Sequence, residues 1–239
     1  MQNIHAPKNI QELQQRCQQI NGQTLGQLAT ALQFNIPADL LHAKGWVGQL
    51  LEAALGATAA SKAMPDFPDL NIELKTIPIN AQSKPLESTY VCSVPIKNSM
   101  QSWRESWVYN KLKHVLWIPI ISNPELTIQQ RIICAPIFWQ MPEDIEEILR
   151  TDWEELMEML QLGYAQKLSA KFGTYLHIRP KAANSRVLID YVNAEGELTK
   201  IVPKGFYLRP SFTQAILNNY LAQQKTLSVS QYTVSDHNS

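Results

Sequence analysis

Three cysteines in 239 residues, odd in number and far apart at Cys17, Cys92 and Cys134, are too few to staple a fold. They point to reduced thiols in a cytosolic setting rather than to a disulfide framework. No apolar run is long enough to cross a bilayer, the longest lying near 115–121, and the opening Met1-Gln-Asn-Ile-His-Ala-Pro-Lys8 lacks the apolar core of a signal peptide. The expectation is a cytoplasmic protein with no membrane partner. A Walker-type phosphate loop and a dinucleotide fingerprint are also absent, so any ATP dependence has to come from a partner. No Gly-x-Ser-x-Gly elbow is present and no cysteine carries the local signature of a nucleophile, which argues against covalent catalysis. His42, His114 and His177 lack Cys or His neighbours at ligand spacing. They read as ordinary surface or partly buried residues, and zinc has no support. No internal repeat is visible.

Neither sign of charge is in excess, with 21 basic and 21 acidic residues, but the two are unevenly spread. Between positions 143 and 158 eight acidic residues accompany one basic one, whereas between 167 and 209 there are eight basic and three acidic. Lys167, Lys171, Arg179, Lys181, Arg186, Lys200, Lys204 and Arg209, with Tyr175, Phe206 and Tyr207 interleaved, read as a groove for phosphates. The competing reading is a scatter of solvated cations.

An apolar content of 45% over this length suffices for one large α/β domain or two lobes around a cleft. Apolar periodicity predicts helices at 10–20 and at 25–32, the second capped by Thr24. Val47, Leu50, Leu51, Ala54 and Leu55 mark one buried helix face, and Glu52 beside them reads either as an inward carboxylate or as an exposed helix glutamate. Runs rich in Val, Ile, Tyr and Trp predict strands at 72–79, 89–95, 114–121 and 131–139. Capping-box spacing at Ser102 and Glu105 opens a helix to about Lys113, giving a strand-helix-strand unit. A long helix at 142–170, with its acidic face solvated, and a final helix at 211–223 follow. Residues 1–225 thus read as a single domain, and 226–239 as a disordered tail.

The most specific chemistry lies in Asp66-Phe-Pro-Asp69-Leu-Asn-Ile-Glu73-Leu-Lys75-Thr-Ile-Pro78. As a strand, this segment sends Glu73 and Lys75 out of one face about 6.6 Å apart. Asp66 and Glu73 supply hard oxygens suited to Mg²⁺, which keeps waters and shares its shell with phosphate, and Lys75 is suited to orienting a water. A strand with one solvated face produces the same alternation.

Longer wording narrows the choice. Lys44-Gly-Trp-Val-Gly-Gln-Leu-Leu-Glu52, Leu55-Gly-Ala, Ser61-Lys62, Asp66-Phe, Glu73-Leu-Lys-Thr-Ile-Pro, Lys111-Leu-Lys-His-Val-Leu-Trp-Ile-Pro, Asp152-Trp-Glu-Glu-Leu-Met, Arg179-Pro-Lys-Ala-Ala-Asn184 and Gly205-Phe-Tyr-Leu follow one another in order. From about Leu25 to Tyr220 the chain resembles the MutH family of mismatch-repair endonucleases, relatives of type II restriction enzymes with the PD-(D/E)xK fold. The resemblance implies a mixed sheet flanked by helices, in two lobes around a DNA cleft. It implies a Mg²⁺-dependent nick 5′ of the guanine in the unmethylated strand of hemimethylated GATC, made by a monomer and activated by a MutL-type ATPase that answers to MutS. Asp66, Glu73 and Lys75 match the family's catalytic triad, Asp66 and Glu73 as metal ligands; Glu52 matches a fourth carboxylate and Lys111 a basic residue at the scissile phosphate. Lys44, Arg179, Lys181 and Tyr207 match DNA-binding positions, with Tyr207 as the methylation sensor. Tyr90 matches an aromatic near DNA, with plain strand packing as the competing reading. Tyr109-Asn110 departs from the family's basic residue and histidine before Lys111. A GATC restriction enzyme cutting both strands and a catalytically silent DNA-binding scaffold remain as alternatives.

Overall fold

The computed structural model describes residues 4–38, 45–59, 64–96, 101–181 and 187–235, with side chains through 224 in the last helix. Helix α1 (Ile10–Ile20) begins where the Asn9 side chain accepts the Glu12 N–H, and α2 (Leu25–Ala31) where Thr24 and Gln27 cap each other reciprocally. Helix α3 (Trp46–Leu55) stops at Gly56, whose φ of 81° suits a residue without Cβ. Leu13 and Cys17 of α1, Leu25 and Leu28 of α2, and Trp46, Leu50 and Leu51 of α3 form one buried cluster.

Strands β1 (Glu73–Ile79), β2 (Thr89–Ser93) and β3 (His114–Ile121) form at the expected places. β1 and β3 pair in parallel, with Glu73 opposite Val115 and Lys75 opposite Trp117. Alternation splits their side chains between two cores: Leu74, Leu116, Ile118 and Ile120 join the α1–α3 cluster, whereas Ile77, Ile79, Val115 and Trp117 join the larger core opposite. Glu73 and Lys75 share the parity of Ile77 and Ile79. The single strand expected at 131–139 is instead β4 (Ile132–Ile133) and β5 (Ile137–Gln140), both antiparallel to β3. Pro136 lies between them and has no N–H to continue a ladder.

β2 does not join that sheet. It pairs antiparallel with β9 (Lys204–Leu208), which also pairs with β6 (Leu176–Pro180), so the strand-helix-strand unit expected across 89–121 is not formed. Between β2 and β3, the capping box of Ser102 and Glu105 opens only a 3-10 turn, Trp103–Glu105, and a second cap at Ser106 starts the short helix α4 (Trp107–Leu112). A hairpin of β7 (Ile189–Val192) and β8 (Leu198–Ile201) separates β6 from β9. Helix α5 (Glu143–Gln161) ends well before 170, because Gly163 turns with φ of 81° and a Cβ there would meet Ala194 N at 2.3 Å. Helix α6 (Pro210–Ser235) runs past the expected end at Gln223, where neither glycine nor proline stops it. No helix among the described residues is long and apolar enough to cross a membrane.

Candidate active site

Glu73 and Lys75 do leave β1 on one face, but that face is buried, Glu73 being 4% and Lys75 9% exposed. The solvated-strand reading is therefore overturned. Lys75 Nζ donates to Glu73 Oε1 at 3.0 Å, and Lys111 Nζ, from the end of α4, donates to Oε2 at 2.8 Å and to the Met64 carbonyl at 2.8 Å. Both oxygens of one buried carboxylate thus carry an ammonium partner, without which burial of its charge would cost several kcal/mol. Asp66 precedes a 3-10 turn, Pro68–Leu70, in which Asn71 at φ 55° reverses the chain so that Phe67 bridges Ile72. This reversal closes the sequence gap: the Leu74 N–H donates to Asp66 Oδ2 at 2.8 Å. Burial, and then the charge of Glu73, push the Asp66 carboxyl up to about 6. Glu52, half-buried on α3, is raised by the same two causes in the same order, with Lys111 and Lys75 opposing. It faces the cluster and is no exposed helix glutamate. Three carboxylates and two ammonium groups are therefore within electrostatic reach of one another, a set of hard oxygen donors and cations suited to phosphate chemistry.

A second constellation lies on the β2-β9-β6 sheet. Tyr207 is paired in register with Tyr90 on one side and His177 on the other, and Gly205 with Ser93 and Arg179. Tyr90 and Tyr207 meet edge to face with centroids 5.3 Å apart. The Arg179 guanidinium lies 5.8 Å from the Tyr207 ring centre, and Lys181 Nζ lies 4.0 Å from that of Tyr90, donating to its hydroxyl and to Ser93 Oγ. Gly205 makes room: a Cβ would stand 3.0 Å from Tyr90 Cε2 and 3.2 Å from Tyr207 Cε2. Phe206 and Ile178 fill the opposite, buried face. Tyr90 thus does more than pack a strand, since its hydroxyl and ring both engage Lys181. Burial first, and Tyr90 second, raise the Tyr207 phenol.

The basic segment is only partly a free surface. Arg209 donates to the carbonyls of Ala170, Gly173 and Phe172, and Lys204 to that of Leu168. These two fasten loops, whereas Arg179 and Lys181 are exposed. Lys44, His42, Lys62 and Arg186 lie outside the described residues. Among the described residues no three His, Cys, Asp or Glu are grouped as a metal shell.

Two residues escaped the sequence reading. Asp152 was assigned to a solvated acidic face, yet it is 3% exposed and accepts the N–H groups of Thr174, Tyr175 and Leu176 at 2.6, 2.7 and 2.8 Å. Its position among Leu149, Trp153 and Leu156 on the buried stripe of α5 was the available signal. His177, read as ordinary, is 3% exposed, and neither ring nitrogen has a hydrogen-bond partner among the described residues. Burial, then Arg209 and Arg179, lower it to about 4, with the Ala170 backbone close enough to the ring to oppose them weakly.

A parallel β1-β3 pair with helices on both faces and buried Asp66, Glu73 and Lys75 at one end defines an α/β protein of the restriction-endonuclease-like class. Residues 55–152 match the family profile described as the DNA mismatch repair enzyme MutH. The chain is 48% identical over 212 residues to the DNA mismatch repair protein MutH of Serratia proteamaculans, covering 88% of this chain and 93% of that one. The MutH proteins of Yersinia enterocolitica and Yersinia pestis match at 48% and 47% over the same shares. The chain belongs to the MutH family.

Proposed function

We propose that this protein is a Mg²⁺-dependent endonuclease of mismatch repair that nicks the unmethylated strand of a hemimethylated GATC site 5′ of the guanine. The observation that carries the reading is the Glu73 carboxylate bridged by Lys75 and Lys111, with Asp66 and Glu52 within reach of its charge. Asp66 and Glu73 would hold the metal. Their chemistry fits: both are hard donors, and the Leu74 N–H fixes the Asp66 carboxylate through Oδ2. Magnesium, when bound, supplies polarisation of the phosphate and a more acidic water. Lys75 is placed to orient that water and Lys111 to offset charge on the phosphate, while Glu52 sets the local field.

Base reading falls to the second sheet. Adenine offers its N6 amino donor in the major groove, and methylation removes a hydrogen there and adds bulk. Tyr207, backed by Tyr90 and flanked by Arg179, is the residue we assign to sense that difference; Arg179, Lys181 and Lys44 bind the duplex. One such site in one copy cuts one strand, so the working unit is a monomer. A MutL-type ATPase responding to MutS is the activator, with exposed Ser211, Asn218 and Asn219 of α6 as its contact. Residues 1–225 form the endonuclease unit, in two lobes, with the tail outside it.

Strand-resolved cleavage of a duplex with one hemimethylated GATC, with Mg²⁺ and with or without the MutL-type ATPase, tests this. Nicks confined to the unmethylated strand and increased by the ATPase are expected. Double-strand cuts independent of methylation would replace the reading with a restriction enzyme, and binding with no cutting would replace it with a scaffold.

A further inference from the structure

Of the six tryptophans, Trp107 alone is exposed, at 51%; Trp46, Trp103, Trp117 and Trp153 are buried and Trp139 is half-buried. Leaving that much aromatic surface in water forgoes a favourable burial, so its position calls for a reason. Trp107 sits on α4 four residues before Lys111, hence on the same helix face. The two line one shallow hollow with Met64, Pro65 and Asn110. Met64 is itself exposed, and its carbonyl accepts from the same Lys111 Nζ that holds Glu73 Oε2. Pro65 directly precedes Asp66. The hollow is therefore continuous with the carboxylate cluster: an apolar, aromatic shelf with a cation at its inner edge.

That combination suits a nucleotide of a duplex, whose deoxyribose offers apolar surface and whose phosphate offers the anion. Resting on the endonuclease reading above, we propose that Trp107, with Met64 and Pro65, forms a shelf for the nucleotide on the 5′ side of the scissile phosphate and holds that phosphate against Lys111. The shelf is sequence-tolerant, because every nucleotide of a duplex presents the same deoxyribose and phosphate to it. It adds affinity at the cut without adding base discrimination.

The test compares the wild-type protein with Trp107→Ala and Trp107→Phe on a GATC duplex carrying 2-aminopurine immediately 5′ of the site, and on a control duplex with the probe ten base pairs away. Trp107→Ala should raise KM roughly tenfold with kcat within about twofold, and Trp107→Phe should restore most of it. The change in 2-aminopurine emission on binding should be lost in Trp107→Ala for the adjacent probe only, with thermal stability unchanged. Equal KM and equal emission in wild type and Trp107→Ala would overturn the shelf. So would a defect seen only when the MutL-type ATPase is present, which would make the patch a protein contact. If the wild type does not cut, the endonuclease reading fails, and the emission difference alone then upholds or overturns the shelf.

Discussion

Glu73 is the residue on which the carboxylate cluster turns, because two lysines from different elements end on its two oxygens and two other carboxylates feel its charge. Glu73→Ala should reduce nicking by about a hundred- to a thousandfold, the scale set by loss of an electrostatic stabiliser, while DNA affinity holds or rises slightly. Single-turnover cleavage beside a gel-shift titration checks both halves, and unimpaired nicking would remove Glu73 from the chemistry. His177 gives a prediction of another kind. Its folded value of about 4 lies below the ordinary value of 6.5, so on acidification the unfolded chain takes up the proton first. The stability it contributes is complete above pH 6.5 and is lost as pH falls through about 4, amounting to roughly 2–3 kcal/mol by pH 4.5. Asp66 acts in the opposite sense, because its raised value favours the folded protein below about 6. Comparing His177→Gln with wild type by urea midpoints at pH 7 and 4.5 separates the two: the variant should lose less stability on acidification. Parallel losses would show that His177 does not titrate as placed.

At the scale of elements, the joint between α5 and β6 fixes where β6 begins. Asp152 collects three consecutive N–H groups at that start, and Gly173 beside it has φ of 78° with a Cβ position only 1.8 Å from Leu176 O. Removing a buried, charge-assisted acceptor leaves three donors unsatisfied, so Asp152→Ala should cost about 3–5 kcal/mol. Urea unfolding reads this directly, and a loss below about 1 kcal/mol would mean that water replaces the carboxylate. On β9, Gly205→Ala pushes a methyl into two tyrosine rings held edge to face. We expect the preference for the unmethylated strand to narrow more than overall stability falls, as measured by paired nicking rates and thermal melts. A preference unchanged by this variant would detach the Tyr90–Tyr207 pair from methylation sensing.

For the whole molecule, the decisive topological fact is that β2, from the first half of the chain, is a strand of the sheet that β6 and β9 build in the second half. The same chain then returns through α4 to place Lys111 on Glu73. The β2-β9-β6 sheet and the carboxylate cluster are therefore tied by the chain entering β2 from β1 and by one shared hydrophobic core, rather than hung on separate domains. Exposed Arg179 and Lys181 at the β2-β9-β6 sheet should make DNA binding salt-dependent although the net charge is zero. Replacing both with alanine should flatten the slope of log affinity against log salt by about 2. Titration by fluorescence anisotropy between 50 and 200 mM salt measures it, and an unchanged slope would place the phosphate contacts elsewhere.

Local patterns alone determined much of this protein: α1 and α2 with the Thr24 cap, β1 and β3 from their Val and Ile content, and the acid and lysine residues of 66–75, whose order is a property of the chain itself. These were legible because capping, periodicity and ligand chemistry act over a few residues. Element lengths and partners were not. Whether 131–139 stays one strand depends on a proline meeting a neighbour's ladder, where α5 stops depends on Gly163 fitting against Ala194, and which sheet β2 enters depends on a strand more than a hundred residues away. Burial was decided by tertiary structure for the same reason. Alternation put Glu73 and Lys75 on one face, and helical spacing put Asp152 on the apolar stripe of α5. Only the packing of a second layer over them, excluding water, turned those charges from solvated residues into a paired cluster and a backbone cap.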